Sequence, residues 1–149
     1  MMKNYKLKTR LALAITCCMV AFSINVKAQL TGTKNIPGDY ATLALAITDL
    51  NTQGVGAGGV TLNVIPGNPE TAPAGGYVIG NAGSLVLTTA SATNPIIIQG
   101  NNNIITAAAA PVAGSRSDAI FKIIGGDYIT IQDLTLNENA ANTTGGAIG

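Results

Sequence analysis

From Gly59 onward the chain alternates apolar and polar residues in short runs, and this period of two constrains its fold more than any other feature. Val60, Leu62 and Val64 alternate with Thr61 and Asn63 before Pro66-Gly67 ends the run, the pattern of a strand with one face buried. Similar short runs cover 77–79, 85–87, 96–99, 120–124, 128–132 and 134–136. Gly, Asn, Pro and Ala fill the intervals, as expected of turns, apart from a low-complexity alanine run at 107–110. Many short strands separated by turns define an all-β chain: a sandwich, a barrel or a solenoid.

Two details favour the solenoid over the β-sandwich, which stays the alternative. Ile129 and Ile131 share one strand face, whereas Leu134 and Leu136 have the opposite parity. A corner near Gln132-Asp133 would let both pairs face one core. A faint repeat also places Ile98-Gln99-Gly100 and Ile123-Ile124-Gly125 25 positions apart, with Ile148 a further 25 on, spacings that suit one turn of a solenoid. Before the strands, Tyr40, Leu43, Ile47 and Leu50 recur at helical spacing. They predict one short helix with Asp39 as N-cap and Gly54 as its stop, and no helix after it.

The stretch Asp39-Tyr40-Ala41-Thr42-Leu43 leading into Ala46-Ile47, and then Val60-Thr61-Leu62-Asn63-Val64-Ile65-Pro66-Gly67, resembles the opening of right-handed parallel β-helix proteins of the pectin-lyase-like superfamily. Residues 121–136 are similar to the strand-corner-strand coils of that group. The nearest likeness is to large secreted bacterial surface proteins that carry a type IX sorting domain. The resemblance implies that a short helix caps the first coil and that the chain is the start of a solenoid. In such relatives a Tyr often stands two residues after the Pro-Gly, but here Asn68-Pro69-Glu70 intervenes, which implies an insertion at that corner. The chain stops at Gly145-Gly146-Ala147-Ile148-Gly149, where another strand is due, so the expectation is an incomplete β-helix domain at 29–149 whose open end self-associates.

Residues 1–28 have the form of a signal peptide: a basic start ending at Arg10, an apolar run of about 14 residues, and Val26 and Ala28 at the small-residue cleavage positions. The run is too short for the roughly 20 residues that span a bilayer. The expected mature chain begins at Gln29 and is secreted or displayed at the cell surface, with no membrane span. Cys17 and Cys18 both lie in the leader, and Ala14-Ile15-Thr16 is a poor lead-in for lipid attachment at Cys17. The leader also holds Lys3, Lys6, Lys8, Arg10 and Lys27, so residues 29–149 keep only Lys34, Arg116 and Lys122 against seven acids, a net charge of −4. A body so poor in cations cannot neutralise a row of phosphates, which excludes nucleic acid as an expected partner.

The same composition removes most catalytic apparatus. Residues 29–149 contain neither His nor Cys, so Ser-His-Asp and Cys-His arrangements and the usual zinc ligand sets are excluded. Gly54-Val55-Gly56-Ala57-Gly58-Gly59 fits G-x-G-x-x-G by letter. A dinucleotide cradle needs the order strand, loop, helix, and here the helix comes first, so a flexible connection is expected. Asp127 and Asp133 flank one strand of about five residues and would stand roughly 15 Å apart along it, too far to share a calcium ion at about 2.4 Å from each. They are expected to cap corners, with Asp118 and Glu138 farther along. Arg116 is expected to be solvated, and Asn142-Thr143-Thr144 matches a glycosylation acceptor. Tyr40, Tyr77, Phe121 and Tyr128 are too scattered for a sugar-stacking platform and are expected at core or corner positions.

No catalytic, cofactor-binding or metal-binding residue is therefore assigned, and no cofactor is expected. The expected function is a non-catalytic extracellular or cell-surface β-helix segment, a stalk or adhesion module that contacts a polysaccharide or cell-surface glycan. The alternative is the N-terminal part of a polysaccharide lyase or pectinesterase-like enzyme whose site lies beyond residue 149.

Overall fold

A computed structural model of the chain describes residues 28–109 and 119–142. Residues 1–27 with Cys17 and Cys18, Arg116, Asp118, Thr143-Thr144 and the final Gly-rich stretch lie outside the described residues. Strands dominate, in the order β1 (Leu30–Ile36), β2 (Val55–Val64), β3 (Glu70–Thr71), β4 (Tyr77–Ile79), β5 (Ile96–Thr106), β6 (Phe121–Ile123) and β7 (Ile129–Asn137). Helix α1 (Leu43–Gln53) links β1 to β2, and a single turn of helix, α2 (Val86–Thr89), lies between β4 and β5.

All pairings between these strands are parallel. One sheet runs β1-β2-β5, with β7 on the far side of β5 and β3 pairing the end of β5; β4 and β6 form a second sheet. The mainly-β expectation therefore holds, and parallel pairing departs from the antiparallel sheets of a sandwich. The register aligns Lys34, Leu62, Ile98 and Ile131 across four strands, and Asn35, Asn63, Gln99 and Gln132 beside them. Ile98 thus lies beside Ile131, while Ile123 pairs with Ile79 in the other sheet. The 25-residue repeat is accordingly corrected: it matched two segments of different sheets, because Ile and Gly recur too often here to mark a register.

The core gathers the inward residues of these strands. Ile36, Leu62, Ile79, Ile96, Ile98 and Ile105 are fully buried, together with Leu43, Ala46 and Leu50 of α1. Burial of side chains of this size, at about 1.5–3 kcal/mol each, is the main force holding the sheets to the helix. The expected corner in β7 is present. Asp133 has a positive φ of 55°, and opposite it the register with β5 is interrupted between Gln99 and Asn103, where Asn101 and Asn102 also have positive φ. One left-handed residue rotates the strand, so Ile129, Ile131 and Leu134 all pack on the core despite their differing parity, whereas Leu136, expected there too, is exposed.

Three local expectations need correction. Residues 85–87 form no strand, and a second helix follows the first: Leu85 donates its N–H to the Asn51 carbonyl at 2.9 Å and leads into α2, so a tertiary contact overrides the short apolar run. The N-cap of α1 is Thr42 rather than Asp39, with the Thr42 hydroxyl accepting from Leu45 N–H at 3.3 Å. Asp39 instead accepts from Asn35 N–H at 2.7 Å and secures the turn after β1. Gly54 does end α1, but the glycines after it are not a flexible link: they belong to β2, where a Cβ on Gly59 would lie 2.4 Å from the Pro95 carbonyl oxygen. Pro66-Gly67 does form the turn that ends β2, and the chain then runs through Asn68-Pro69 into β3.

Candidate functional site

Three arrangements of polar groups stand out, each positioned by a different part of the fold. The first is the outward face of the β1-β2-β5-β7 sheet. In β2, the inward residues Val60, Leu62 and Val64 are buried, which turns Thr61 and Asn63 outward. The register then sets Thr33, Thr61, Ile97 and Thr130 in one column and Asn35, Asn63, Gln99 and Gln132 in the next. The amides are joined across the strands. Asn63 donates to Asn35 at 2.8 Å, Asn101 donates to Asn63 at 2.8 Å, Gln99 donates to Asn101 at 3.3 Å, and Gln132 donates to Gln99 at 2.6 Å. Gln99 also donates to the Asp133 carboxylate at 2.6 Å. Asp133 is thus a corner residue, but its oxygen serves the neighbouring strand rather than capping its own turn.

The second arrangement is a groove of about 590 Å³ between α1 and the segment after β4, lined by Ala44, Ile47, Thr48, Tyr77 and Ser84 among others. At its floor the Asn51 side chain donates to the Val78 carbonyl at 2.7 Å and accepts from Gly80 N–H at 2.8 Å. These two groups flank Ile79 as the partners of a neighbouring parallel strand would. The Asn51 amide therefore stands in for a strand against the edge of β4 that β6 leaves open. Ser84 donates its hydroxyl to the same Asn51 oxygen at 2.8 Å.

The third is a smaller hollow of about 330 Å³ beside Glu70. Both Glu70 carboxylate oxygens lie 3.0 Å from Leu43 N–H, at the first turn of α1, where negative charge meets unpaired amides and the positive end of the helix dipole. Tyr77 donates its hydroxyl to Glu70 at 3.1 Å. Burial, reinforced by the adjacent Glu70 charge, pushes the Tyr77 hydroxyl well above the ordinary tyrosine range. Burial and a hydrogen bond to Asp49 at 2.6 Å do the same for Tyr40. Glu70 is thereby committed to structure.

Raised folded-state values make stability fall in alkali. Between the ordinary pKa of about 10 and the higher folded values, the unfolded chain releases protons that the native chain retains, so unfolding gains with each step in pH. We expect the denaturation midpoint to be flat near neutrality and to fall above about pH 10. Changing both Tyr40 and Tyr77 to Phe should flatten that fall, as a denaturant titration at several pH values will check.

The residues singled out from sequence are dispersed. Asp127 precedes β7, Asp133 sits in its corner, and Glu138 follows it, where it accepts from Asn139 N–H at 2.9 Å and from the Asn142 side chain. Among the described residues no three acidic, His or Cys side chains come together as a metal site would require. Tyr77 and Phe121 meet in the core with ring centroids 5.1 Å apart, and Tyr128 is exposed at the start of β7 with a positive φ of 57°. These are the core and corner positions expected of them. Sequence reasoning missed the amide column and the roles of Asn51, Glu70 and Asn103. Among the described residues no helix is long and apolar enough to cross a membrane. Comparison with protein-family models, curated proteins and solved structures finds no match.

Proposed function

We propose that the chain is the opening segment of a right-handed parallel β-helix in an exported protein, and that it acts as a non-catalytic stalk or adhesion module touching a glycan at the cell surface. The observation that carries this reading is the uniformly parallel pairing of strands around one aliphatic column, with α1 lying over the first strands. Parallel strands that each bend at a left-handed corner, as β5 and β7 do, are the building units of a stacked solenoid. The export part rests on the leader at 1–28. The non-catalytic part rests on Glu70, which is held by Leu43 and Tyr77, and on the dispersal of the other described carboxylates.

Expression of the full chain in a bacterial host that processes such leaders provides the test. Intact-mass measurement of the extracytoplasmic fraction should give a chain starting at Gln29, and that fraction should release no sugar from neutral or acidic polysaccharides with calcium present. A retained Met1 in that fraction would overturn export, and sugar release that disappears in a Glu70→Gln variant would overturn the non-catalytic reading.

A further inference from the structure

We propose that the outward face of the β1-β2-β5-β7 sheet is a binding surface for an uncharged polysaccharide laid across the strands. This deepens the glycan-contact reading above and rests on it. Thr33, Thr61 and Thr130 occupy equivalent outward positions on three of the four strands, and none of their hydroxyls has a hydrogen-bond partner within the described protein. The adjacent amides spend only part of their capacity on one another. Asn63 uses one of its two N–H donors and Gln132 one of its two, while Asn35 donates neither through its side chain. Each amide oxygen can accept twice.

The face therefore offers donors and acceptors side by side, repeated from strand to strand at the sheet spacing of about 4.8 Å. Such a surface is matched by groups that both donate and accept, which is the property of a sugar hydroxyl. Charge complementarity decides the ligand class. The two outward columns contain no ionisable side chain, since Lys34 falls in the inward register and Asp133, at the edge, is held by Gln99. A neutral face on a body of net charge −4 repels polyanions and leaves neutral polymers as the fitting partner. Ile97, half-buried in the threonine column, adds an apolar spot for the C–H face of a sugar ring.

The test is co-sedimentation of the exported protein with insoluble cellulose, chitin and starch, beside polygalacturonate gel as the acidic comparison. Thr33, Thr61 and Thr130 are changed to Val together, a substitution that keeps shape and strand preference while removing the three hydroxyls. Wild-type protein should bind at least one neutral polymer, and the triple variant should bind it roughly tenfold or more weakly with an unchanged circular dichroism spectrum. Should the variant lose its fold, single Thr61→Val and Thr130→Val proteins, each expected to weaken binding, take its place. Equal binding by folded variants would overturn the assignment to this face while leaving glycan contact standing. Binding to polygalacturonate alone would overturn the neutral ligand class. No binding to any polymer would overturn both this surface and the glycan-contact reading.

Discussion

Replacing Asn103 with Leu should lower stability by about 3–4 kcal/mol, the largest single-residue effect expected outside the aliphatic core. Asn103 is 5% exposed and ties the corner of β5 to the loop after β2. Its amide donates to the Ile65 and Gly100 carbonyls, both at 2.8 Å, and its oxygen accepts from Asn68 N–H at 2.8 Å. A longer contact to the Val64 carbonyl, at 3.3 Å, is backed up by Asn101 at 2.8 Å and so would survive the change. Leu has nearly the same volume but leaves the buried Gly100 carbonyl without a partner, at about 1–3 kcal/mol, and removes two half-buried bonds, to the Ile65 carbonyl and Asn68 N–H, at about 0.5–1.5 kcal/mol each. In a domain of this size the midpoint of thermal unfolding should fall by roughly 10–25 °C. Asn102→Gly is the control: Asn102 has a positive φ of 60° and an exposed side chain, so glycine there should be neutral or slightly stabilising. A difference of less than about 1 kcal/mol between the two variants would refute the role given to Asn103.

Asn51→Leu is expected to change the protein in kind as well as degree. The lost bonds to Val78 and Gly80 should cost about 2–3 kcal/mol. They also leave the outer edge of β4 bare, beside a groove already lined by Ala44 and Ile47. An uncovered parallel edge recruits strands from other molecules. The variant should therefore sediment as a concentration-dependent mixture under conditions where the parent does not. Asn51→Gln, with the same amide on a longer stem, should restore little. A variant that is less stable yet equally monodisperse would show that Asn51 acts as an ordinary hydrogen-bonding residue rather than as a cover for the edge.

The sequence was most informative where the signal was local. The alternation of Val60, Leu62 and Val64, the helical spacing of Leu43, Ile47 and Leu50, and the parity change across Asp133 each follow from the geometry of a single element, and each reappears in the fold. Strand β1 was not recognised because its inward positions include Gly32 and Lys34, which break the apolar alternation. A glycine is tolerated there, and Lys34 needs to bury only its stem. Residues 86–89 look strand-like, with Val and two Thr in four positions, but form a helical turn after a bend that Asn51 and Ser84 hold through hydrogen bonds from distant sequence.

The proposed binding face was legible only in part. Thr-Lys-Asn at 33–35, Thr-Leu-Asn at 61–63, Ile-Ile-Gln at 97–99 and Thr-Ile-Gln at 130–132 are one motif written four times. The loops between them differ in length, so no fixed period reveals it. Sheet register supplied the alignment that spacing could not. Glu70 and Asn103 were invisible for a related reason: the groups that they hold lie more than 25 residues away or across a corner.

The parallel order of the strands has a consequence for how the chain acquires its shape. β2 pairs with β1, β5 with β2 and β3, β6 with β4, and β7 with β5. Each of these later strands finds a partner made earlier in the chain. A polypeptide emerging amino end first then has a template already in place for β2, β5, β6 and β7. Such long-range pairing is slow when a whole chain must search for it at once, because loop closure precedes any reward. Sequential delivery removes much of that search, although β3 and β4 wait for β5 and β6 to follow them. Refolding of the chain from denaturant should then be slower than its folding during synthesis, and β7, the last strand in this sequence of additions, should be the last to gain protection from hydrogen exchange.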